Sequence, residues 1–134
     1  MRHWTLIFLT MTTLLHAQTT ADGFAIPQAG RVFEFPRDHG SHAEFRTEWW
    51  YVTGHLDAPD AHRFGFQVTF FRQARRDDGK TQHLHLAHAA LLDARSGRFV
   101  HEERLNREGW DAASSETTLA VRNGNWSLKL DEKT

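Results

Sequence analysis

The chain has 134 residues, of which 40% are hydrophobic and 25% are charged. This is the composition of an ordinary globular protein, and it excludes a disordered or fibrous chain. The formal net charge is -1, so no basic field exists that would attract a nucleic acid. The absence of Cys excludes disulfide bonds and thiolate metal sites. The 5 Trp, 10 Phe and 10 His are unusually many, and aromatic rings either fill a core or line a cavity for an apolar ligand.

Residues 1–17 have the pattern of an export signal. Arg2 and His3 precede an apolar run that extends to Leu15, and His16-Ala17-Gln18 offers a cleavage point. We therefore predict a secreted or periplasmic protein, with a buried N-terminal helix as the alternative. Thr residues interrupt the run, which falls short of the roughly 18 apolar residues that span a bilayer. No stable membrane span is expected.

The rest of the chain divides into a linker and one domain. Residues 18–30 have no clear period, which predicts a linker or a lid over a barrel. Residues 31–35 form a short extended run that Pro36 ends. We expect the domain to occupy residues 31–134.

Two segments predict an antiparallel hairpin. The clearest strand pattern runs from residue 63 to residue 73, where alternate residues share a face. One face holds Phe64, Phe66, Val68 and Phe70. Residues 49–56 have high β-propensity. Residues 57–61 connect the two segments through a short run of turn formers, which favours a hairpin.

Three further segments extend this pattern. Residues 82–93 fit a strand, although their Ala and Leu content also allows a helix. Residues 117–123 and 125–130 flank Asn123-Gly124, and both of these residues tolerate the positive φ of a type I′ turn. The period-two pattern gives about six or seven strands in all. This number of short strands predicts an antiparallel barrel or sandwich. A closed barrel of this type needs about eight strands, so we expect an incomplete barrel.

The densest group of acids, imidazoles and aromatic rings lies between residues 35 and 55. It and the strand that follows contain Asp38, Glu48-Trp49-Trp50-Tyr51, Gly54, Arg63-Phe64-Gly65-Phe66-Gln67 and Phe70-Phe71-Arg72. These motifs resemble the N-terminal signature of the family of carotenoid 1,2-hydratase and related secreted lipocalin-like proteins. The resemblance implies an all-β, antiparallel lipocalin-like (calycin-type) barrel. It also implies two barrel halves, of which this chain would supply most of the first, so that a C-terminal half or a protein partner would be missing.

The resemblance implies a hydro-lyase that adds water to a double bond of an apolar isoprenoid or lipid. Such a reaction needs an acid that protonates carbon, protection for the carbocation and a base that guides water. Glu48, beside two Trp residues, or Asp38 is the predicted general acid, because burial in apolar surroundings raises the pKa of a carboxyl group.

The remaining roles fall to aromatic and imidazole groups. A π face of Trp49, Trp50 or Tyr51 can stabilise a cation. An imidazole can guide the water, because it titrates near neutral pH. The candidate imidazoles are His39, His42 and His55. The predicted ligand contacts are Trp49, Trp50, Phe66 and Phe70, and the predicted catalytic residues are Glu48, Asp38, His42 and Tyr51.

Simpler explanations exist for the same residues. Trp49 and Trp50 point to opposite faces of a strand, so at most one of them faces a given cavity. Glu48 and Arg46 can form an ordinary same-face ion pair. Asp38 can organise the turn around Gly40 together with Ser41.

Metal and nucleophile sites are less well supported by the sequence. His39 and His42, or His83 and His85, each offer two imidazoles, but neither spacing is a zinc signature with its other ligands in place. Ser41 is not in a Gly-x-Ser-x-Gly elbow. We predict no metal site and no cofactor.

Three functions therefore remain open. The chain is a hydro-lyase acting on an apolar substrate, a module that binds an apolar small molecule without changing it, or a component of an envelope or transport assembly. The fold alone does not choose among them, because function depends on the site.

Overall fold

The structure is a computed structural model that describes residues 19–131, so the predicted export signal lies outside the described residues. It contains seven strands: β1 Thr47–Asp57, β2 Arg63–Asp77, β3 Lys80–Asp93, β4 Phe99–Arg107, β5 Ala112–Ser114, β6 Ala120–Asn123 and β7 Trp126–Lys129. A single turn of 3-10 helix, Arg37–His39, precedes them. Within residues 19–131, no helix is long and apolar enough to cross a membrane.

The strands form two antiparallel sheets, ordered β1-β2-β3-β4 and β5-β6-β7. The predicted first hairpin is confirmed, because β1 pairs antiparallel with β2 from Thr47 opposite Gln73 to Asp57 opposite Arg63. The predicted strand at residues 82–93 is also confirmed as most of β3, which excludes the helical alternative. Alternating apolar residues favour such strands, because they place the apolar side chains on one face of a sheet.

The four-stranded sheet has two different faces. Its inner face carries Trp50, Phe70 and Ala87 side by side, since Phe70 lies opposite both Trp50 and Ala87 in the register. Two residues away along each strand, the same face carries a row of polar side chains that crosses all four strands. The row consists of Glu48, Arg72, His85 and Asn106.

The three-stranded sheet covers the apolar part of the inner face. Val121 packs against Phe70 and Ala87, and Trp126 and Leu128 lie around them. The alternation predicted for the last hairpin is therefore confirmed, because it directs these side chains to the core.

The turn of that hairpin differs from the prediction by one residue. Asn123 pairs with Trp126, so the central residues are Gly124 and Asn125. Only Gly124, at φ 62°, has a positive φ within this turn. Type I′ needs a positive φ at both central residues, so the type I′ assignment is wrong and the geometry fits type II′.

The segment before β1 does not behave as a simple extended run. Residues 31–35 join neither sheet. Phe24, within the predicted linker, is fully buried, and the guanidinium of Arg76 lies 4.4 Å from the centroid of its ring. The predicted boundary between linker and domain stays a prediction.

The fold class is all-β and antiparallel. β1 and β4 lie at the two edges of their sheet, and across residues 19–131 the two sheets do not close into a complete barrel. The predicted partial barrel agrees with this arrangement.

Candidate functional site

Glu48 is the centre of a polar cluster at the beginning of β1. Its carboxylate accepts hydrogen bonds from the backbone N–H of His42 at 2.9 and 3.1 Å and from the Ser41 hydroxyl at 3.1 Å. The ring Nδ1 of His42 lies 2.6 Å from Glu48 Oε1. The strand end therefore holds the preceding loop through one carboxylate.

Arg72 fixes the same loop from the next strand. Its side chain is only 1% exposed, and it lies opposite Glu48 in the register. The guanidinium donates to the carbonyl oxygens of His42 at 2.8 Å and Phe45 at 3.0 Å, and to Glu48 at 3.3 Å. Because a guanidinium has several fixed donors, one buried side chain joins the loop to the sheet.

Asp38 lies on the other side of His42, in the 3-10 helix. Its side chain is 0% exposed, and Oδ1 lies 3.1 Å from His42 Nε2 and 2.7 Å from Arg37. The backbone N–H of Glu34 donates to Oδ2 at 2.6 Å. That hydrogen bond, together with His42, Arg37 and Arg31, lowers the pKa of Asp38 from 3.8 to about 2, although burial opposes the shift.

His42 is therefore held between two carboxylates. Burial disfavours the charged ring, but the hydrogen bonds to Glu48 and Asp38 outweigh it and raise the pKa of His42 above 6.5. With a carboxylate at each ring nitrogen, both nitrogens act as donors in the imidazolium form.

A cavity of about 740 Å³ lies beside this cluster, and we call it the β1 cavity. Its apolar wall consists of Ala25, Ile26, Pro27, Phe33, Phe45 and Trp49. His42, Glu48, Arg31 and Arg37 also line it. An apolar cavity with a few polar groups is the usual form of a small-molecule site.

The pair His83 and His85 faces Glu108. His83 Nε2 and His85 Nε2 lie 3.9 and 3.7 Å from its carboxylate, beyond hydrogen-bonding distance. Arg72 lies 3.0 Å from His83 Nδ1, and a guanidinium has only donors, so Nδ1 accepts and the proton of the neutral ring is on Nε2. His83 is then unsuited to bind a metal through Nε2. Within residues 19–131, no group of three His, Asp or Glu side chains has the geometry to hold a metal ion.

His85 differs from His83 because neither nitrogen of its ring has a hydrogen-bond partner within residues 19–131. Its side chain is 1% exposed. Burial lowers the pKa of His85 below 6.5, against the opposing charge of Glu108. The buried ring therefore favours its neutral form.

Of the predicted catalytic residues, the structure brings Glu48, Asp38 and His42 together. Tyr51 lies on the opposite face of β1 from Glu48 and is exposed, so it is not part of this cluster. The expectation that Asp38 stays protonated is wrong, because its pKa is lowered rather than raised. The catalytic roles themselves stay predictions.

The predicted ligand contacts are divided among three places. Trp49 lines the β1 cavity. Trp50 packs against the core and donates its indole N–H to the His39 carbonyl at 3.0 Å. Phe70 is buried in the core. Phe66 lines a second cavity of about 550 Å³, which His55 also lines.

The simpler explanations also differ in detail. Arg46 pairs with Asp22 rather than with Glu48. Ser41 donates to Glu48 instead of organising a turn with Asp38. Gly40 is needed for another reason, since a Cβ there would lie 2.8 Å from the Ser115 carbonyl oxygen.

Sequence reasoning did not assign a role to Arg72, although a signal for it existed. Arg72 continues the period-two face of Phe66, Val68 and Phe70. A charged residue on the core-facing side of a strand predicts a buried, paired cation.

The comparisons with known proteins agree with this architecture. The sequence model of a family described as AttH-like matches residues 26–134. The chain belongs to the AttH-like family. Its lipocalin-like fold class is thereby confirmed, and the resemblance to carotenoid 1,2-hydratase is supported at the coarser level of lipocalin-like proteins.

One solved structure shows the same fold as this AttH-like chain. It is a crystal structure of a Nitrosomonas europaea protein provisionally assigned as AttH, with 37% sequence identity and a TM-score of 0.68. The alignment covers 81% of this chain and 34% of that protein. The chain thus matches about a third of its solved relative, and the predicted second barrel half stays a prediction. A comparison with curated proteins found no match.

Proposed function

We propose that the chain binds an apolar small molecule, an isoprenoid or lipid, in the β1 cavity. The observation that carries this proposal is the apolar wall of the 740 Å³ cavity beside a buried polar cluster. That volume lies within the range of about 300–1,000 Å³ that is usual for ligand sites.

Binding fits the cluster better than protonation of an alkene does. Asp38, with its pKa lowered to about 2, is an anion at neutral pH. Glu48 accepts from Ser41, His42 and Arg72, which are partners suited to a carboxylate. The remaining acid is the His42 imidazolium, and imidazolium is a weaker acid than a carboxylic acid by about two pKa units in reference compounds.

The experiment that tests binding is a titration with the methyl ester of cis-parinaric acid, a neutral polyene that quenches Trp fluorescence. Quenching should saturate, and Phe45→Ala should weaken binding about tenfold, because Phe45 forms part of the apolar wall. Phe99→Ala is the matched control, since Phe99 lines the second cavity. Quenching that does not saturate, or equal loss in both variants, would overturn the proposal.

A hydro-lyase reaction is the second candidate. It is favoured by His42, which lines the cavity and bridges two carboxylates at 2.6 and 3.1 Å. This candidate requires hydration of a polyene by the wild-type chain, and it requires His42→Gln to abolish turnover while ester affinity remains. Absence of turnover in the wild type would eliminate it.

We also propose that the protein is exported. The support is the charged start, apolar run and cleavage point within residues 1–17. N-terminal sequencing of protein from cell fractions should find a periplasmic or secreted form that begins near Gln18. Intact Met1 in a cytosolic fraction would contradict export.

A further inference from the structure

We propose that Arg31 and Arg37 make the β1 cavity selective for amphipathic ligands that carry a carboxylate headgroup. This inference rests on the proposed function, since it specifies the class of ligand that the same cavity binds.

The first support is the position of the two arginines. Both line the same cavity as the apolar wall residues. The Arg31 guanidinium lies 5.9 Å from the centroid of the Phe33 ring. A ligand whose chain contacts Phe33 and Phe45 would therefore have its polar end within reach of a guanidinium.

The second support is the number of donors that remain available. Arg31 and Arg37 each direct one terminal nitrogen to Asp38 Oδ1, at 3.2 and 2.7 Å. Their next carboxylates, Glu44 and Glu34, lie 3.8 and 3.7 Å away, too far for a hydrogen bond. A guanidinium has five N–H donors, so each keeps donors for a second carboxylate.

The third support is the local charge. Asp38 is shared by Arg31, Arg37 and His42, and Glu48 is shared by His42 and Arg72. The two enclosed carboxylates thus face more cationic groups than they can neutralise. Glu34 and Glu44, whose side chains are 77% and 52% exposed, offset part of this charge, and water screens them as it screens Arg37, which is 53% exposed.

The test compares cis-parinaric acid with its methyl ester, by Trp quenching at low salt. The wild-type chain should bind the acid about fivefold more tightly than the ester, as expected for partly exposed charge pairs. The double variant Arg31→Gln, Arg37→Gln should lose this preference, measured as the ratio of acid affinity to ester affinity within the same variant, so that a change common to both ligands cancels. Added salt should reduce the preference of the wild type.

Two controls make the result specific. Arg75→Gln alters an exposed arginine outside the cavity and should keep the preference. The double variant Arg31→Lys, Arg37→Lys retains the charge and should keep part of the preference, with near-UV circular dichroism to verify folding.

Each outcome decides between the two proposals. Equal affinity for acid and ester in the wild type would overturn carboxylate selectivity and leave apolar binding intact. A preference that survives in the Gln double variant would overturn the role of the two arginines. Failure of both probes to bind would overturn the proposed function, and the selectivity with it.

Discussion

The Glu48 side chain joins three parts of the molecule. It lies at the start of β1, accepts from the backbone and ring of His42, and pairs with Arg72 on β2. Because Arg72 is almost fully buried, its charge depends on this partner and on the carbonyl oxygens around it.

Replacement of Glu48 by Gln should therefore lower the free energy of unfolding by about 1–3 kcal/mol, since Arg72 would lose its counterion. Urea denaturation at neutral pH measures this change. Glu44→Gln is the matched control, because Glu44 is half exposed, and it should change stability by less than about 0.5 kcal/mol. Equal effects of the two substitutions would contradict the central place of Glu48.

The titration of His42 provides a second residue-level prediction. Its pKa is raised in the folded state, so its contribution to stability is fully present below its unfolded pKa of about 6.5. The contribution is lost as pH rises through the higher folded pKa. The stability difference between wild type and His42→Gln should thus be largest below about pH 6.5 and shrink at higher pH.

NMR titration of the His42 ring offers a direct measurement of the same property. The midpoint should lie above 6.5, and Asp38→Asn should lower it, because the variant loses the charge beside Nε2. A midpoint below 6.5 in the wild type would contradict the arrangement of His42 between two carboxylates.

His83 and His85, two of the three histidines of β3, should respond differently to substitution. The buried ring of His85 has no hydrogen-bond partner for either nitrogen within residues 19–131, so His85→Leu should lower the free energy of unfolding by less than about 1 kcal/mol or raise it. The His83 ring accepts a hydrogen bond from Arg72 at 3.0 Å, so His83→Leu should lower the free energy of unfolding by about 1–3 kcal/mol.

The pH dependence sharpens this comparison. The pKa of His85 is lowered by burial, so folding is penalised once pH falls below the unfolded value of about 6.5. His85→Leu removes that penalty and should gain stability relative to the wild type as the solution is acidified. Denaturation curves of both proteins at pH 8 and pH 5.5 measure this change. A stability difference between His85→Leu and the wild type that is the same at both pH values would contradict a neutral buried His85 ring.

At the level of single residues, the sequence predicted part of the site. Glu48, Asp38 and His42 lie close together along the chain, and their clustering was foreseeable. The role of Arg72 depends on the register between β1 and β2, and the lowered pKa of Asp38 depends on a backbone hydrogen bond from Glu34. The partners in these contacts are set by tertiary geometry, so the core-facing position of Arg72 indicated a buried, paired cation but not the groups that pair with it.

Among the structural elements, the three-stranded sheet is attached to the larger sheet through Asn123. This side chain is fully buried. It donates to the carbonyl oxygens of His85 at 2.8 Å and Arg104 at 3.2 Å, and accepts from Asn106 at 2.6 Å. One residue of β6 thereby satisfies groups on β3 and β4.

Asn123→Ala should lower the free energy of unfolding by about 2–3 kcal/mol, because it leaves buried polar groups without partners. Amide hydrogen exchange should accelerate most in β5, β6 and β7. Ser127→Ala, on the exposed side of β7, is the control and should change stability by less than about 0.5 kcal/mol. Uniform acceleration across both sheets would contradict a local attachment.

Strands were more predictable than the segments between them. High β-propensity identified most of β1, and alternation identified β2 and the last hairpin, because side chains on successive residues of a strand point to opposite faces. The turn at Gly124 was displaced by one residue, since Asn123 is used inside the fold rather than in the turn. Residues 31–35 share the composition of a strand but find no partner strand within the described residues.

At the scale of the whole molecule, the β1 cavity arises where segments of different kinds meet. Its wall includes Ile26 from the N-terminal segment, Phe45 from the loop before β1 and Trp49 from β1. No periodic pattern links these residues, so the sequence indicated an aromatic-rich region but not the cavity. The lipocalin-like class was predictable, because it depends on repeated alternation and on the motifs of residues 38–72.

The most direct test of the central claim is to locate the bound ligand by NMR, with the methyl ester of cis-parinaric acid added to the isotopically labelled chain. Binding in the β1 cavity predicts that backbone amide shifts change mainly around Ile26, Phe45 and Trp49. Changes centred on Phe66, Leu92 and Phe99, which line the second cavity, would contradict the account, as would saturating ester concentrations that leave the spectrum unchanged.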